Sequence, residues 1–157
     1  HRDLHSFPTR RSSDLLTEAQ AQAIPVLMHC VNDAERISDL AYLIARRAAT
    51  QPAAASKFTD GAIVELKAII EKASTIAKLT LESLRDGPGA AKAVGVVMQD
   101  MKTMSRQSIQ GHVDRLQNGA CKPERGMVYV EVIAALENIV RHLENIAERA
   151  DRISTAI

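Results

Sequence analysis

Two carboxylates of this chain, Glu35 and Asp39, stand four residues apart in a stretch with helical periodicity. Side chains at that spacing share one face of an α-helix, with their Cβ atoms about 6 Å apart. Their negative charges repel each other, and a hard cation that takes oxygen atoms from both would remove the repulsion. A basic side chain from a neighbouring helix would do the same. The spacing therefore predicts an acidic helical face and leaves a metal site and a solvated face as alternatives.

The stretch that carries these carboxylates occurs twice in the chain. Val31–Ala48 has the sequence VNDAERISDLAYLIARRA, and Ala135–Ala150 has the sequence ALENIVRHLENIAERA. When the second is laid on the first at an offset of 102 residues, six of 16 positions are identical. Both copies place a glutamate on an apolar stripe and end in I-A-x-R-A. The repeat indicates that one helical pattern is used at two places in the fold.

The second copy differs from the first at the position that decides metal binding. Arg141 occupies the place of Asp39, and a guanidinium group cannot ligate a cation. Glu137 and Arg141 are instead predicted to form an i,i+4 ion pair worth about 0.3 kcal/mol. The predicted metal ligands are therefore Glu35 and Asp39, and the weaker candidates are Asp33, Glu144 and Glu148.

The chain lacks the sequence motifs of zinc sites, di-iron sites and catalytic nucleophiles. The three histidines after residue 15 and the two cysteines lack the C-x-x-C and H-x-x-x-H spacings of zinc sites. A di-iron carboxylate enzyme needs a Glu-x-x-His motif on each of two helices, whereas Glu137 and His142 are five residues apart. No phosphate-binding loop or nucleophile motif occurs. We therefore expect no enzymatic activity.

The composition narrows the class of protein further. A net charge of +1 gives no general attraction for nucleic acid. Aromatic residues make up only 3% of the chain, so small and aliphatic side chains must fill the core. Cys30 and Cys121 form no disulfide framework, which fits a reducing compartment. No apolar run approaches the roughly 18 residues that indicate a transmembrane helix.

The elements that position the candidate ligands are four long helices joined by short loops. Apolar residues at helical spacing predict them at about 16–50, 60–85, 90–117 and 127–154. The stripe of the first helix comprises Ile24, Leu27, Val31, Ile37, Ala41 and Ile44. Pro25 should start the best-formed part of that helix or kink it. Asp86–Gly89 and Asn118–Gly119 are the breaks between the later helices. We predict an all-α fold, an antiparallel up-down bundle of four helices.

The first 15 residues stand apart from this pattern. His1–Leu15 has no usable periodicity, and the part HSFPTRRSSDL resembles the translation of a common sequencing-adapter end. We interpret His1–Leu15 as a disordered artefact and residues 16–157 as a single helical domain. The natural protein is expected to be cut short at its N-terminus.

The repeated stretch resembles the signature helix of the PhoU family, which has E-R-I-G-D followed by N-I-A-E. In the first copy the matching residues are Glu35, Arg36, Ile37 and Asp39, with Ser38 at the glycine position. In the second copy Asn145–Glu148 is N-I-A-E unaltered, although Arg141 replaces the acid of the first motif. The resemblance covers Ala21–Ile153. The finer likeness is to the PhoU-like tail of bacterial sodium/phosphate cotransporters, on His112-x-x-Arg115-Leu116-x-x-Gly119-x-Cys121.

The resemblance implies a fold and a role. It implies two adjacent three-helix bundles, of which this chain holds the last helix of the first and all of the second. Glu35 and Asp39 would bind a divalent or ferric ion, such as Mg²⁺, Mn²⁺ or iron. The domain would control phosphate uptake at the cytoplasmic face of the inner membrane. Its partner would be a transmembrane phosphate-transport domain, upstream in the same chain or on a separate subunit.

Other assignments remain open at this point. The chain could instead be a stand-alone PhoU-type accessory protein of a phosphate-import system, or a metal-free helical interaction module. A homodimer is one assembly open to it. Because one bundle is incomplete, the chain alone is expected to be less stable than the whole domain or to self-associate.

Overall fold

The computed structural model describes residues 17–49, 57–86 and 89–156, and within them the chain is all-α. The four helices are α1 (Glu18–Ala49), α2 (Asp60–Asp86), α3 (Ala90–Gln117) and α4 (Pro123–Ala156). No strand occurs in these residues, which confirms the predicted fold class. The expectation for His1–Leu15 lies outside the described residues.

The four helices divide into a bundle of three and one helix on its outside. α2, α3 and α4 pack on one another, whereas α1 packs on α4 alone. α2 and α3 are antiparallel, since Glu65 pairs with Arg115 and Lys72 with Asp100. α1 and α4 are also antiparallel, since Asp33 pairs with Arg149 and Arg47 with Glu131. α2 and α4 are parallel, since α2 contacts α4 through Glu65 and Tyr129 and again, later in both helices, through Thr80 and Leu143. The up-down order is therefore as predicted, with α1 attached to a single face of α4.

The apolar core lies between α2, α3 and α4. Its fully buried side chains include Ile69 and Ile76 from α2, Met101 from α3, and Tyr129 and Ile133 from α4. The buried stripe of α3 begins with apolar residues and continues with polar ones, namely Val94, Met98, Met101, Ser105, Ser108 and His112. The core therefore becomes polar toward the C-terminal end of α3.

α1 carries apolar residues on two opposite sides, and only one of these sides is covered. The buried and half-buried positions recur at alternating spacings of three and four, which is the pattern of a helix with one partner: Ala23, Val26, Cys30, Asp33, Ile37, Leu40 and Ile44. The predicted stripe was partly wrong, because Ile24, Leu27, Val31 and Ala41 lie on the exposed side. The apolar pattern did not identify the covered side, because the polar residue Asp33 interrupts the apolar residues on that side.

Local signals explain where the helices begin and end. Thr17 Oγ1 accepts a hydrogen bond from the Gln20 amide at 3.2 Å, and Gln20 Oε1 accepts one from the Thr17 amide at 3.0 Å. This reciprocal capping starts α1 seven residues before Pro25, so Pro25 does not begin the helix. α4 begins at Pro123 rather than near residue 127, because proline suits the first helical turn. Gly119, with φ of 69°, follows the end of α3.

Candidate functional site

The two predicted metal ligands lie on the uncovered side of α1. Glu35 and Asp39 are both exposed, and neither forms an ion pair with a described residue. Among the described residues, no group of three or more His, Cys, Asp or Glu side chains could hold a metal ion. Hard cations commonly take six or more oxygen ligands. Two carboxylates could therefore supply only part of a shell, and the metal site stays a prediction.

Asp33, a weaker candidate ligand, is buried between α1 and α4, where its side chain is 8% exposed. Its Oδ1 atom lies 2.7 Å from Nδ1 of His142 and accepts a hydrogen bond from the Asn145 amide at 3.5 Å. Its Oδ2 atom accepts a hydrogen bond from Nη1 of Arg149. The three α4 residues share one helical face because their spacings are three and four. One carboxylate of α1 therefore contacts two turns of α4.

These contacts determine the charge of Asp33. Burial acts to raise the pKa of the carboxyl group, but the hydrogen bonds from His142, Arg149 and Asn145 outweigh burial and hold its pKa below the ordinary value. Burial also raises the pKa of the neighbouring Cys30 thiol, which favours its protonated form. A metal ion at Asp33 would have to displace three donors, so the geometry favours a structural role for this carboxylate.

The arginine of the I-A-x-R-A motif forms a cross-helix ion pair in both copies. Arg149 of the second copy contacts Asp33 on α1. Arg47 of the first copy contacts Glu131 on α4, with 2.9 Å between Nε and Oε2. The second pair is more open, since the Arg47 and Glu131 side chains are 48% and 41% exposed. The repeated motif therefore packs α1 and α4 against each other, along a contact that we call the α1–α4 seam.

The predicted ion pair between Glu137 and Arg141 is absent. Nη2 of Arg141 donates a hydrogen bond to Oδ1 of Asn138 at 3.0 Å instead. An exposed i,i+4 pair gains only a few tenths of a kcal/mol, so a neutral acceptor three residues away competes with it. The remaining candidate pair lies on the same helix, with Glu144 half-buried and Glu148 exposed.

A second carboxylate, Glu65 of α2, joins the three helices of the bundle. Arg115 of α3 donates two hydrogen bonds to it, Nη1 to Oε1 at 2.9 Å and Nη2 to Oε2 at 2.6 Å. The hydroxyl of Tyr129 on α4 donates to the same Oε2 atom. The imidazole of His112 stacks on the Tyr129 ring, with 4.8 Å between ring centroids. We call these four residues the Glu65 cluster.

The electrostatics of the Glu65 cluster favour a structural ion pair over proton transfer. Burial acts to raise the pKa of Glu65, but hydrogen bonds from Arg115 and Tyr129 lower it below its usual value. Burial and the contact with Glu65 raise the pKa of Tyr129 to about 12. Burial and the charge of Arg115 lower the pKa of His112. General acid–base catalysis at neutral pH works best with a pKa near 7, and none of these shifts moves a group toward that value.

The Glu65 cluster was not predicted as a site. Neither ring nitrogen of His112 has a hydrogen-bond partner among the described residues, and a Cβ atom on Gly126 would lie 2.5 Å from its Nε2. Glycine is therefore required where α4 approaches this imidazole. The available signal was His112-x-x-Arg115, whose spacing puts both side chains on one helical face. Nothing in the sequence pointed to Glu65 or Tyr129 as their partners.

Comparison with known proteins adds no relative to this picture. The chain matches no protein family, no curated protein and no solved structure. In the part of the chain that the structure describes, no helix is both long enough and apolar enough to cross a lipid bilayer.

Proposed function

We propose that this chain is a PhoU-like regulatory domain that controls inorganic phosphate uptake by a sodium-dependent cotransporter. It catalyses no reaction and acts through helix contacts, which transmit movements between its partner and the three-helix bundle. The sequence support is the repeated motif with Glu35 and Asp39 in one copy and N-I-A-E in the other. The alternative within this class is a stand-alone PhoU-type accessory protein, and the gene upstream of Leu16 distinguishes the two.

The one-sided packing of α1 is the observation that carries the proposal. α1 packs on α4 alone, although its opposite side exposes the large apolar side chains Ile24, Leu27, Met28, Val31, Tyr42 and Leu43. This exposed apolar stripe, which Glu35 and Asp39 interrupt between Val31 and Tyr42, is typical of an interaction surface. Glu35 and Asp39 lie on the exposed side of the same helix. A partner helix that covers the stripe would therefore also approach the two carboxylates.

The α1–α4 seam supplies a route from that surface to the bundle. The Asp33 carboxylate connects α1 to His142, Asn145 and Arg149, and α4 in turn packs on α2 and α3. We expect a cation at Glu35 and Asp39 to lower their mutual repulsion and to take further ligands from the partner. A shift of α1 on binding would then reach α4 through the ion pair.

The proposal is tested in the full-length protein by phosphate uptake in cells and by elemental analysis of the purified protein. Glu35→Ala with Asp39→Ala should abolish the control of uptake by external phosphate and should reduce the bound metal. Glu71→Ala with Glu82→Ala is the matched control, since both carboxylates are exposed on α2. Unchanged uptake control and unchanged metal content in the first variant would contradict the proposal.

The metal-free interaction module is the second candidate, because the apolar stripe of α1 needs no cation to bind a helix. It predicts no bound iron, manganese or magnesium in the purified protein. Met28→Ser with Val31→Ser would then weaken binding of the partner helix, whereas the double alanine variant of Glu35 and Asp39 would retain it.

A further inference from the structure

A groove between α3 and α4 brings together basic side chains that no other feature of the fold uses. It has a volume of about 420 Å³. Its floor is apolar, since Met98, Met101 and Val140 are buried core residues. Its remaining lining residues are Lys102, Arg106, Ala134, Glu137, Asn138 and Arg141.

The three basic residues of the groove have no acidic partner among the described residues. The two guanidinium groups contact uncharged acceptors: Nε of Arg106 donates to the Lys102 carbonyl oxygen at 3.3 Å, and Nη2 of Arg141 donates to Asn138. Glu137 is the one carboxylate among the lining residues, and it forms no ion pair with any of the three. The lining therefore carries a net charge of +2.

Like charges that converge on a concave, partly apolar wall create a positive potential that attracts anions. Guanidinium groups match the oxygen geometry of phosphate and carboxylate, and they bind such groups by charge-assisted hydrogen bonds. The groove is larger than inorganic phosphate needs, and its apolar floor offers contacts that a bare ion cannot use. An anion joined to an apolar group uses both the floor and the rim.

We propose that this groove binds the phosphate group of an organic phosphate monoester, whose apolar part lies on Met98, Met101 and Val140. Arg106 and Arg141 hold the phosphate oxygens from opposite helices, and Lys102 adds a third positive charge. Arg141 stands where the first copy of the repeat has Asp39, so this position of the second copy carries a positive charge that attracts an anion. The proposal rests on the groove alone and is independent of the proposed function.

The test measures binding to the full chain by titration calorimetry at low ionic strength, with phenyl phosphate, inorganic phosphate and benzyl alcohol as probes. We expect phenyl phosphate to bind at least about tenfold more tightly than inorganic phosphate, and benzyl alcohol not to bind measurably. Arg106→Ala and Arg141→Ala should each weaken phenyl phosphate binding by about tenfold, since each removes a charge-assisted hydrogen bond. Glu137→Gln should tighten it by about threefold, because it removes a repelling carboxylate.

Lys92→Ala is the matched control, as an exposed lysine of α3 outside the groove, and it should leave binding unchanged. A second arm separates a soluble ligand from a lipid headgroup, by flotation with phosphatidylcholine vesicles that contain or lack phosphatidic acid. Binding to phosphatidic acid that Arg141→Ala removes and Lys92→Ala retains would support a lipid phosphate in the same groove. Absence of binding to every phosphate probe, or equal binding by wild type and the Arg106→Ala, Arg141→Ala double variant, would overturn the proposal.

Discussion

The two copies of the repeat, Val31–Ala48 in α1 and Ala135–Ala150 in α4, have similar sequences and different surroundings. The second copy contacts all three other helices, whereas the first contacts α4 alone. Equivalent residues differ in burial accordingly, since Ala147 is fully buried and Ala45 is exposed. The motif arginine forms the same kind of contact in both copies, an ion pair across the α1–α4 seam. The motif therefore encodes that seam, and the neighbouring helices decide the burial of each copy.

The copies differ equally in the chemistry of their exposed positions. The first copy presents Glu35 and Asp39 on an uncovered helix, and the second presents Arg141 beside the groove of α3. Asp39 of the first copy and Arg141 of the second occupy the same position of the repeat, so the charge there is reversed. The residues that pack the α1–α4 seam are thus similar in the two copies, whereas the residues at exposed positions differ.

The two motif arginines provide the largest expected contrast. Arg149→Ala should lower the free energy of unfolding by about 2 kcal/mol, because it leaves the buried Asp33 carboxylate short of its cationic donor. Arg47→Ala should cost less than about 1 kcal/mol, since the side chains of Arg47 and its partner Glu131 are 48% and 41% exposed. Urea denaturation of the two variants and wild type measures both values.

Arg149→Lys is the matched control for the first variant. Lysine keeps the positive charge but lacks the planar guanidinium group. The free energy of unfolding of Arg149→Lys should therefore lie between those of wild type and Arg149→Ala. Equal losses for Arg149→Ala and Arg47→Ala would show that burial does not separate the two copies at this position.

Most of the fold could be predicted from the sequence, because it depends on signals that are local in the chain. Apolar periodicity and the breaks at Gly89 and Gly119 determine four helices, and the observed bounds of α3 agree with the prediction at both ends. The start of α4 was placed four residues late, since the loop-like segment before it contains Pro123, which is also a favoured first residue of a helix.

The polar clusters could not be predicted, because they depend on residues far apart in the chain. Asp33 appeared as a minor ligand candidate, and nothing near it indicated that Arg149 of another helix would bind it. Nothing near Glu65 in the sequence indicated that it joins α2 to Arg115 and Tyr129. Burial of a charged side chain depends on its partner in the fold, and a single sequence does not identify that partner.

The pH dependence of stability should distinguish the two seam carboxylates. The folded-state pKa of Asp33 is held below its ordinary value of 3.8. Its contribution to stability is therefore fully present above the unfolded-state pKa and is lost as the pH falls through the folded-state value. We expect Asp33→Asn to be about 1 kcal/mol less stable than wild type at pH 7, and this difference to vanish in acid, well below pH 3.8.

Glu131→Gln is the comparison for that measurement, because its carboxylate forms the equivalent pair with Arg47. Its effect at pH 7 should be smaller than that of Asp33→Asn, as expected for an exposed pair. Denaturation at a series of pH values for both variants provides the curves. A difference between wild type and Asp33→Asn that stays constant down to the lowest pH would contradict the lowered pKa of Asp33.

The smallest expected effect concerns the glutamate that both copies share. Its replacement by glutamine should change the stability of the chain in opposite directions in the two copies. In metal-free buffer with a chelator, Glu35→Gln should stabilise the chain by about 0.3 kcal/mol, because it removes the i,i+4 repulsion from Asp39. Glu137→Gln should destabilise it by about the same amount, since Glu137 lies among the positive charges of the α3–α4 groove. Both changes are isosteric, so thermal unfolding at low and high salt isolates the contribution of the charge, and about 1 M salt should reduce both effects.

A metal ion should change the result for one copy only. If a divalent or ferric ion binds Glu35 and Asp39, adding it should make Glu35→Gln destabilising relative to wild type and leave the effect of Glu137→Gln unchanged, because only the wild-type first copy is stabilised by the ion. The same sign for both variants without metal would contradict the charge contrast between the copies.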